Sequence, residues 1–198
     1  MRKYRFILAG LSVLLAVAFL AGCAGMMAKP TEDNFTEPTV TLNRVEVPYY
    51  TGYWYFSNKV EPTKGTAGNY GAPMGLAFIF DITNPNDYPV LMETLKFSIA
   101  FEEFELNTVS ADDPMWIPAG KTNQTRVIAI MDARSSLLSL MVTGGFKLKE
   151  KEMSPWDALE KWWTGAPEMS FPIHVQQGSA IFKAGGIVKG VEVSATYP

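Results

Sequence analysis

Leu76, Phe78, Phe80 and Ile82 alternate with Ala77, Ile79 and Asp81, and the run ends at Asn84-Pro85-Asn86-Asp87. A two-residue period is that of one sheet face packed on a core, so this stretch is expected to be a strand. Pro85 presets φ for a turn position, and the flanking asparagines can bond the turn backbone in place of a ladder. The strand is therefore expected to stop there and restart near Val90. In the second strand Leu95, Phe97, Ile99 and Phe101 alternate. The phase then changes at Glu102-Glu103, where Phe104 and Leu106 take over, as at a hairpin tip with both acids in solvent.

The same reading extends over the rest of the chain. Between Thr39 and Val47, Val40 and Leu42 share one phase while Val45 and Val47 share the other, so a bulge is expected near Asn43. Six of the eight residues from Tyr49 to Phe56 are aromatic. They read either as a strand covering the core or as a stacking platform for sugars. Residues 57–75 carry Pro62, Gly65, Gly68, Gly71 and Pro73 and read as a flexible loop; no Gly-Lys-Ser/Thr ending makes it a phosphate cradle. Met115–Ile117 is a short strand ended by Pro118, and Thr125–Met131 another strand. Asp132 is placed to cap a helix through Val142, with Leu137, Leu138, Leu140 and Met141 as its apolar stripe and Gly144-Gly145 as its end. A second helix starts at Ser154-Pro155 and runs to about Trp163, with Trp156, Leu159 and Trp163 on one face. A hairpin turning at Gln176-Gln177-Gly178 and a last strand from Ile187 to Ala195 complete the chain.

The expected fold is mainly β: an antiparallel β-sandwich of fibronectin type III-like kind, with one or two short helices in the C-terminal half. Of the 198 residues, 47% are hydrophobic and 19% charged, as in a globular protein rather than a disordered one. Met1 to Arg5 form a basic segment, and Phe6 to Leu20 an apolar one interrupted only by Ser12. Leu20-Ala21-Gly22-Cys23 follows and resembles the bacterial lipobox at all four positions. That resemblance implies cleavage before Cys23 and a diacylglycerol thioether on its sulfur. The competing reading is an uncleaved anchor, since Phe6 to Ala28 is uncharged and just long enough to span a bilayer. Ala24 stands where enteric bacteria place an Asp for inner-membrane retention, which by the same resemblance implies the outer membrane, facing the periplasm. The expected division is a signal peptide at 1–22, a lipidated flexible tether at 23–38 and a folded domain at 39–198. Of the 17 Lys and Arg, three lie in the leader; the 14 left face 20 acids, a net −6. An acidic domain without a basic run is a poor nucleic-acid binder.

The order of signals from Thr39 to Met131 is similar to that of a known family. An apolar strand ending in Asn84-Pro85-Asn86, a restart containing Pro89, a hairpin, then Ile117-Pro118-Ala119-Gly120 and a β-rich strand resemble the WHy (water stress and hypersensitive response) domain. That domain is shared with type 2 late embryogenesis abundant proteins. The resemblance implies a small sandwich linked to desiccation and osmotic stress, with no catalytic residue set. Two departures are Glu102-Glu103, where the family often has Asn-Gly, and a longer region after Asp132.

Candidate chemistry is sparse. One cysteine and one histidine exclude an internal disulfide and a Cys/His zinc site. Glu102, Glu103 and Glu105 and the pair Asp112-Asp113 lack the spacing of a calcium loop. His174 has no companion nucleophile in any recognisable motif. No cofactor or metal is called for. The candidate sites are thus Cys23 for lipid and Trp156, Trp162 and Trp163 for a partner or the bilayer surface. The expected function is a non-enzymatic envelope lipoprotein in stress protection or interaction. The alternative is a lipoprotein that holds a lipid, glycan or protein partner.

Overall fold

The structure, a computed structural model, describes residues 29–53 and 71–198. The leader, Cys23 and the stretch from Trp54 to Tyr70 lie outside the described residues.

Two antiparallel sheets face each other. Strands β1 (Thr39–Tyr50), β2 (Pro73–Thr83) and β6 (Thr122–Asp132) make the first, in the order β1-β2-β6. The second has the order β4-β3-β7-β8, with β3 at Val90–Phe101, β4 at Phe104–Ala111, β7 at Ile173–Ala184 and β8 at Ile187–Tyr197. The short β5 (Met115–Ile117) pairs with the start of β3. A three-stranded sheet of the first, second and sixth strands over a sheet led by the third is a fibronectin type III-like sandwich.

The period-two pattern explains the core. Leu76, Phe78, Phe80 and Ile82 of β2 meet Leu95, Phe97, Ile99 and Phe101 of β3, all of them buried. The Phe97 ring meets Phe78 and Phe80 edge-on at 5.1 and 5.3 Å, the geometry that aromatic quadrupoles favour. The β1 phase change is a bulge between Leu42 and Arg44. The β3–β4 hairpin turns at Glu102-Glu103, with Glu102 at φ 54°.

Helix α1 (Ala133–Thr143) is capped by the Asp132 carboxylate, which accepts from Arg134 N at 2.9 Å. Its buried stripe is Ala133, Ser136, Leu137 and Leu140, so Leu138 and Met141 are not part of it and stand 59% and 56% exposed. Gly144 ends α1, but the chain turns at once into α2 (Gly145–Glu150), a short helix the paired glycines concealed. Helix α3 (Pro155–Gly165) starts as expected, with Ser154 Oγ accepting from Asp157 N at 3.1 Å, and a 3₁₀ turn (Ala166–Glu168) follows it.

Three expectations change. The Gln176-Gln177-Gly178 segment is a bulge inside the continuous strand β7, between Val175 and Gly178, and the chain reverses instead at Gly185-Gly186. Gly178 is required there, because a Cβ would lie 2.4 Å from the Val193 carbonyl oxygen. The long loop ends before residue 75, since β2 already pairs with β6 at Pro73. Lastly, the described part of the tether is not loose: Phe35 and Pro38 are buried, and Phe35 joins the core. The folded unit therefore starts upstream of Thr39. No helix among the described residues is long and apolar enough to cross a membrane.

Candidate functional site

The most concentrated polar cluster is the Asn84-Pro85-Asn86 turn. Asn84 is fully buried and Asn86 nearly so. The Asn84 Nδ2 donates to the carbonyls of Tyr88, Ile117 and Pro118 at 2.8, 3.1 and 3.2 Å. Its Oδ1 accepts from Asn86 N at 3.0 Å and Asn86 Nδ2 at 2.9 Å. Asn86 in turn reads both backbone groups of Thr36: Oδ1 accepts from Thr36 N and Nδ2 donates to Thr36 O, each at 2.8 Å. A side-chain amide here replaces one peptide of a strand ladder.

This clasp gathers three separate pieces of chain. Tyr88 Oη donates toward Asn34 O and Oδ1 at 3.1 and 3.0 Å, and its ring meets Phe35 edge-on at 6.3 Å. Burial, helped by the Asp87 charge, raises the Tyr88 phenol above its ordinary range, so the hydroxyl remains a donor. Asn84 N donates to Lys121 O at 2.9 Å and Gly120 N to Asn86 O at 3.0 Å, tying in the Ile117–Lys121 turn. From β8, Lys189 Nζ reaches Phe35 O at 2.7 Å. Every polar atom of both asparagine side chains is engaged. The asparagine pair carries no nucleophile or base, and the Tyr88 hydroxyl and Lys189 amine are both engaged with the strap backbone, so what the cluster does chemically is hold the N-terminal strap to the sandwich.

The acidic residues separate. Glu102 pairs with Lys161 and Glu103 with Lys151. Glu105 accepts from Ser98 Oγ at 3.1 Å, and Asp112 from Ser110 Oγ at 2.7 Å. The Lys151 ammonium holds the Glu103 carboxyl below its usual range. Among the described residues no group of three His, Cys, Asp or Glu is arranged to hold a metal ion. His174 Nδ1 lies 2.9 Å from Thr196 Oγ1, a cross-strand pair between β7 and β8.

The three tryptophans part company. Trp162 and Trp163 are wholly buried with Ala158 and Leu159, so neither presents its ring to a bilayer or partner. The buried arc of α3 is centred on Ala158, Leu159, Trp162 and Trp163; Trp156 sits at its margin and remains 52% exposed. Trp162 packs against Phe101 and Phe104, and Trp163 Nε1 donates to Ala72 O at 2.7 Å. Trp156 O accepts from Tyr53 Oη at 3.3 Å. Of the aromatic run, Tyr49 and Tyr50 are exposed, Tyr53 is buried, and Trp54, Tyr55 and Phe56 lie outside the described residues.

Two residues of the expected helical stripe, Leu138 and Met141, belong instead to an exposed apolar set. Leu138, Met141, Val142 and Phe146 recur three and four residues apart across α1 and α2 and are 56 to 89% exposed. The helical period was visible in them; which side of it faced the sandwich was not.

No protein-family model matches the chain, and no curated protein matches it. Among solved structures, a protein from Archaeoglobus fulgidus is similar at 10% identity and a TM-score of 0.41, covering 79% of this chain and 94% of that one. A protein from Bordetella pertussis with a provisional ApaA assignment is similar at 11% identity and a TM-score of 0.40, covering 81% and 92%. At these values neither likeness bears on what the chain does.

Proposed function

We propose that this chain is a lipid-anchored, non-catalytic protein of the bacterial cell envelope, carried by Cys23 on the outer membrane and facing the periplasm. Its sandwich is a WHy-like, late embryogenesis abundant type 2-like domain that acts in water-stress protection or as an interaction module. The observation that carries this reading is the Asn84–Asn86 clasp. Among the described residues, two of the four buried polar side chains are spent on closing the strap over the sandwich end, where an enzyme would leave reactive groups open to substrate. The two-sheet fold and the lipobox-like Leu20-Ala21-Gly22-Cys23 support it from the other side.

The second reading, an envelope lipoprotein that holds a lipid, glycan or protein partner, is favoured by the exposed ridge of Leu138, Met141, Val142 and Phe146. Metabolic labelling with a clickable fatty acid tests the anchor: Cys23→Ser abolishes the label, and an undiminished signal refutes lipidation there. Drying and osmotic challenge of a deletion strain tests the role. Unchanged survival with altered envelope composition moves the assignment to the second reading.

A further inference from the structure

Trp116, Leu91, Lys183 and Val188 form one row across the outer face of the second sheet. Trp116 pairs with Leu91 between β5 and β3, Leu91 with Lys183 between β3 and β7, and Lys183 with Val188 between β7 and β8. Their immediate chain neighbours Ile117, Val90, Met92 and Phe182 are buried on the opposite face. Trp116 is 60% exposed and Val188 54%. With neighbouring strands about 4.8 Å apart, the row is roughly 14 Å long. Lys183 sits within it, paired with Glu93. The row is thus apolar at both ends, with an ion pair between.

Its place in the fold says what it meets. The row lies one residue pair from the Gly185-Gly186 turn, and a Cβ on Gly185 would come within 3.0 Å of the Pro30 ring. The strap therefore enters the domain beside the row. Pro30 is seven residues after Cys23, which limits their separation to about 25 Å. The helical end is at the other extreme of β3. From Leu91 to Phe101 the strand advances ten residues, roughly 33 Å, to the hairpin whose Glu103 carbonyl meets Lys147 of α2.

We propose that the Trp116–Leu91–Lys183–Val188 row rests on the bilayer that carries the Cys23 lipid, which turns the helical end away from it. The inference rests on Cys23 being lipidated. A tryptophan ring suits the headgroup level, because its apolar body and its N–H favour the two sides of that boundary. The short leash holds the row at the bilayer, so a small contact area is sufficient to orient the domain.

The test uses the full lipidated chain in vesicles of phosphatidylethanolamine and phosphatidylglycerol containing nitroxide-labelled lipid. Val188→Cys and Phe146→Cys, both exposed positions, each carry an environment-sensitive fluorophore. The expected result is quenching several-fold stronger at position 188 than at 146, in chains that float with the vesicles. Equal quenching, or stronger quenching at 146, overturns the orientation. So does a floating chain quenched at neither position whose tryptophan emission responds to peptidoglycan fragments and loses that response in Trp116→Phe, which would make the face a glycan surface. Chains that fail to float and carry no acyl mass on Cys23 sink the anchor, and the inference with it.

Discussion

Replacing Asn84 with alanine removes the centre of the clasp. Its Nδ2 has two protons shared among three carbonyls, and its Oδ1 accepts two donors from Asn86. A typical bond of this kind nets about 1 kcal/mol, and a buried group left without a partner costs about 1–3 kcal/mol. The residue is fully buried, so water does not replace the lost partners without entering the core. Counting two full donations and two stranded Asn86 donors, its backbone N–H and one Nδ2 proton, gives a loss of about 4–8 kcal/mol. Against a domain stability of about 5–15 kcal/mol, that is a large fraction. Urea unfolding of residues 29–198, followed by tryptophan fluorescence, measures it as a lower midpoint at unchanged slope. Pro85→Ala is the local control and costs about 0.5–1 kcal/mol, through the entropy of the unfolded chain. A cost below about 1 kcal/mol for Asn84→Ala would refute the clasp as a structural element and reopen the asparagines as a recognition site.

Two further outcomes follow from the buried aromatic groups. Trp163→Phe removes the 2.7 Å bond to Ala72 O, whereas the Trp162 indole N–H is buried with no hydrogen-bond partner among the described residues. Trp163→Phe is therefore the costlier change by about 1 kcal/mol in urea unfolding, and a reversed order would contradict the assignment. Burial, with the charges of Glu160 and Asp157 nearby, pushes the Tyr53 phenol up to about 12. Its unfolded value is about 10, so the fold favours the protonated form. The stability this contributes is intact below about pH 10 and is lost as pH rises through about 12. Urea midpoints should fall more steeply above about pH 10 in the parent than in Tyr53→Phe, with parallel curves at neutral pH; equal alkaline slopes would count against it.

The sandwich was legible because its core strands carry uninterrupted alternation. Leu76 to Ile82 and Leu95 to Phe101 each keep one phase, and a one-residue slip would turn every one of those side chains to the wrong face. Caps were legible for the same local reason, since Asp132 and Ser154 act within three residues of themselves. What escaped was set by distant partners. Gln176-Gln177-Gly178 has turn composition, yet its pairing with β8 absorbs the extra residues as a bulge. The face of α1 depends on where β4 lies, and alternative stripes fit the sequence equally well until that is known. The strap was the largest omission: between Lys29 and Pro38 the composition is polar, and only the isolated Phe35 hinted at a buried anchor.

The strap also bears on where function can lie. A recognition site needs donors or acceptors left over, or apolar area left uncovered, after the fold has satisfied itself. At the Asn84–Asn86 turn nothing is left over, because each amide atom already meets a backbone group or its neighbour. The Asn84–Asn86 turn therefore serves the architecture, and surfaces that could bind something have to be sought elsewhere. Those are the Trp116–Val188 row beside the strap and the Leu138–Phe146 ridge at the far end. They lie at opposite ends of β3, so in the orientation we propose the ridge is turned away from the bilayer. If that proposed orientation holds, substitutions on the ridge are expected to leave flotation with vesicles unchanged, and substitutions in the row to weaken the quenching at position 188 without lowering the urea midpoint.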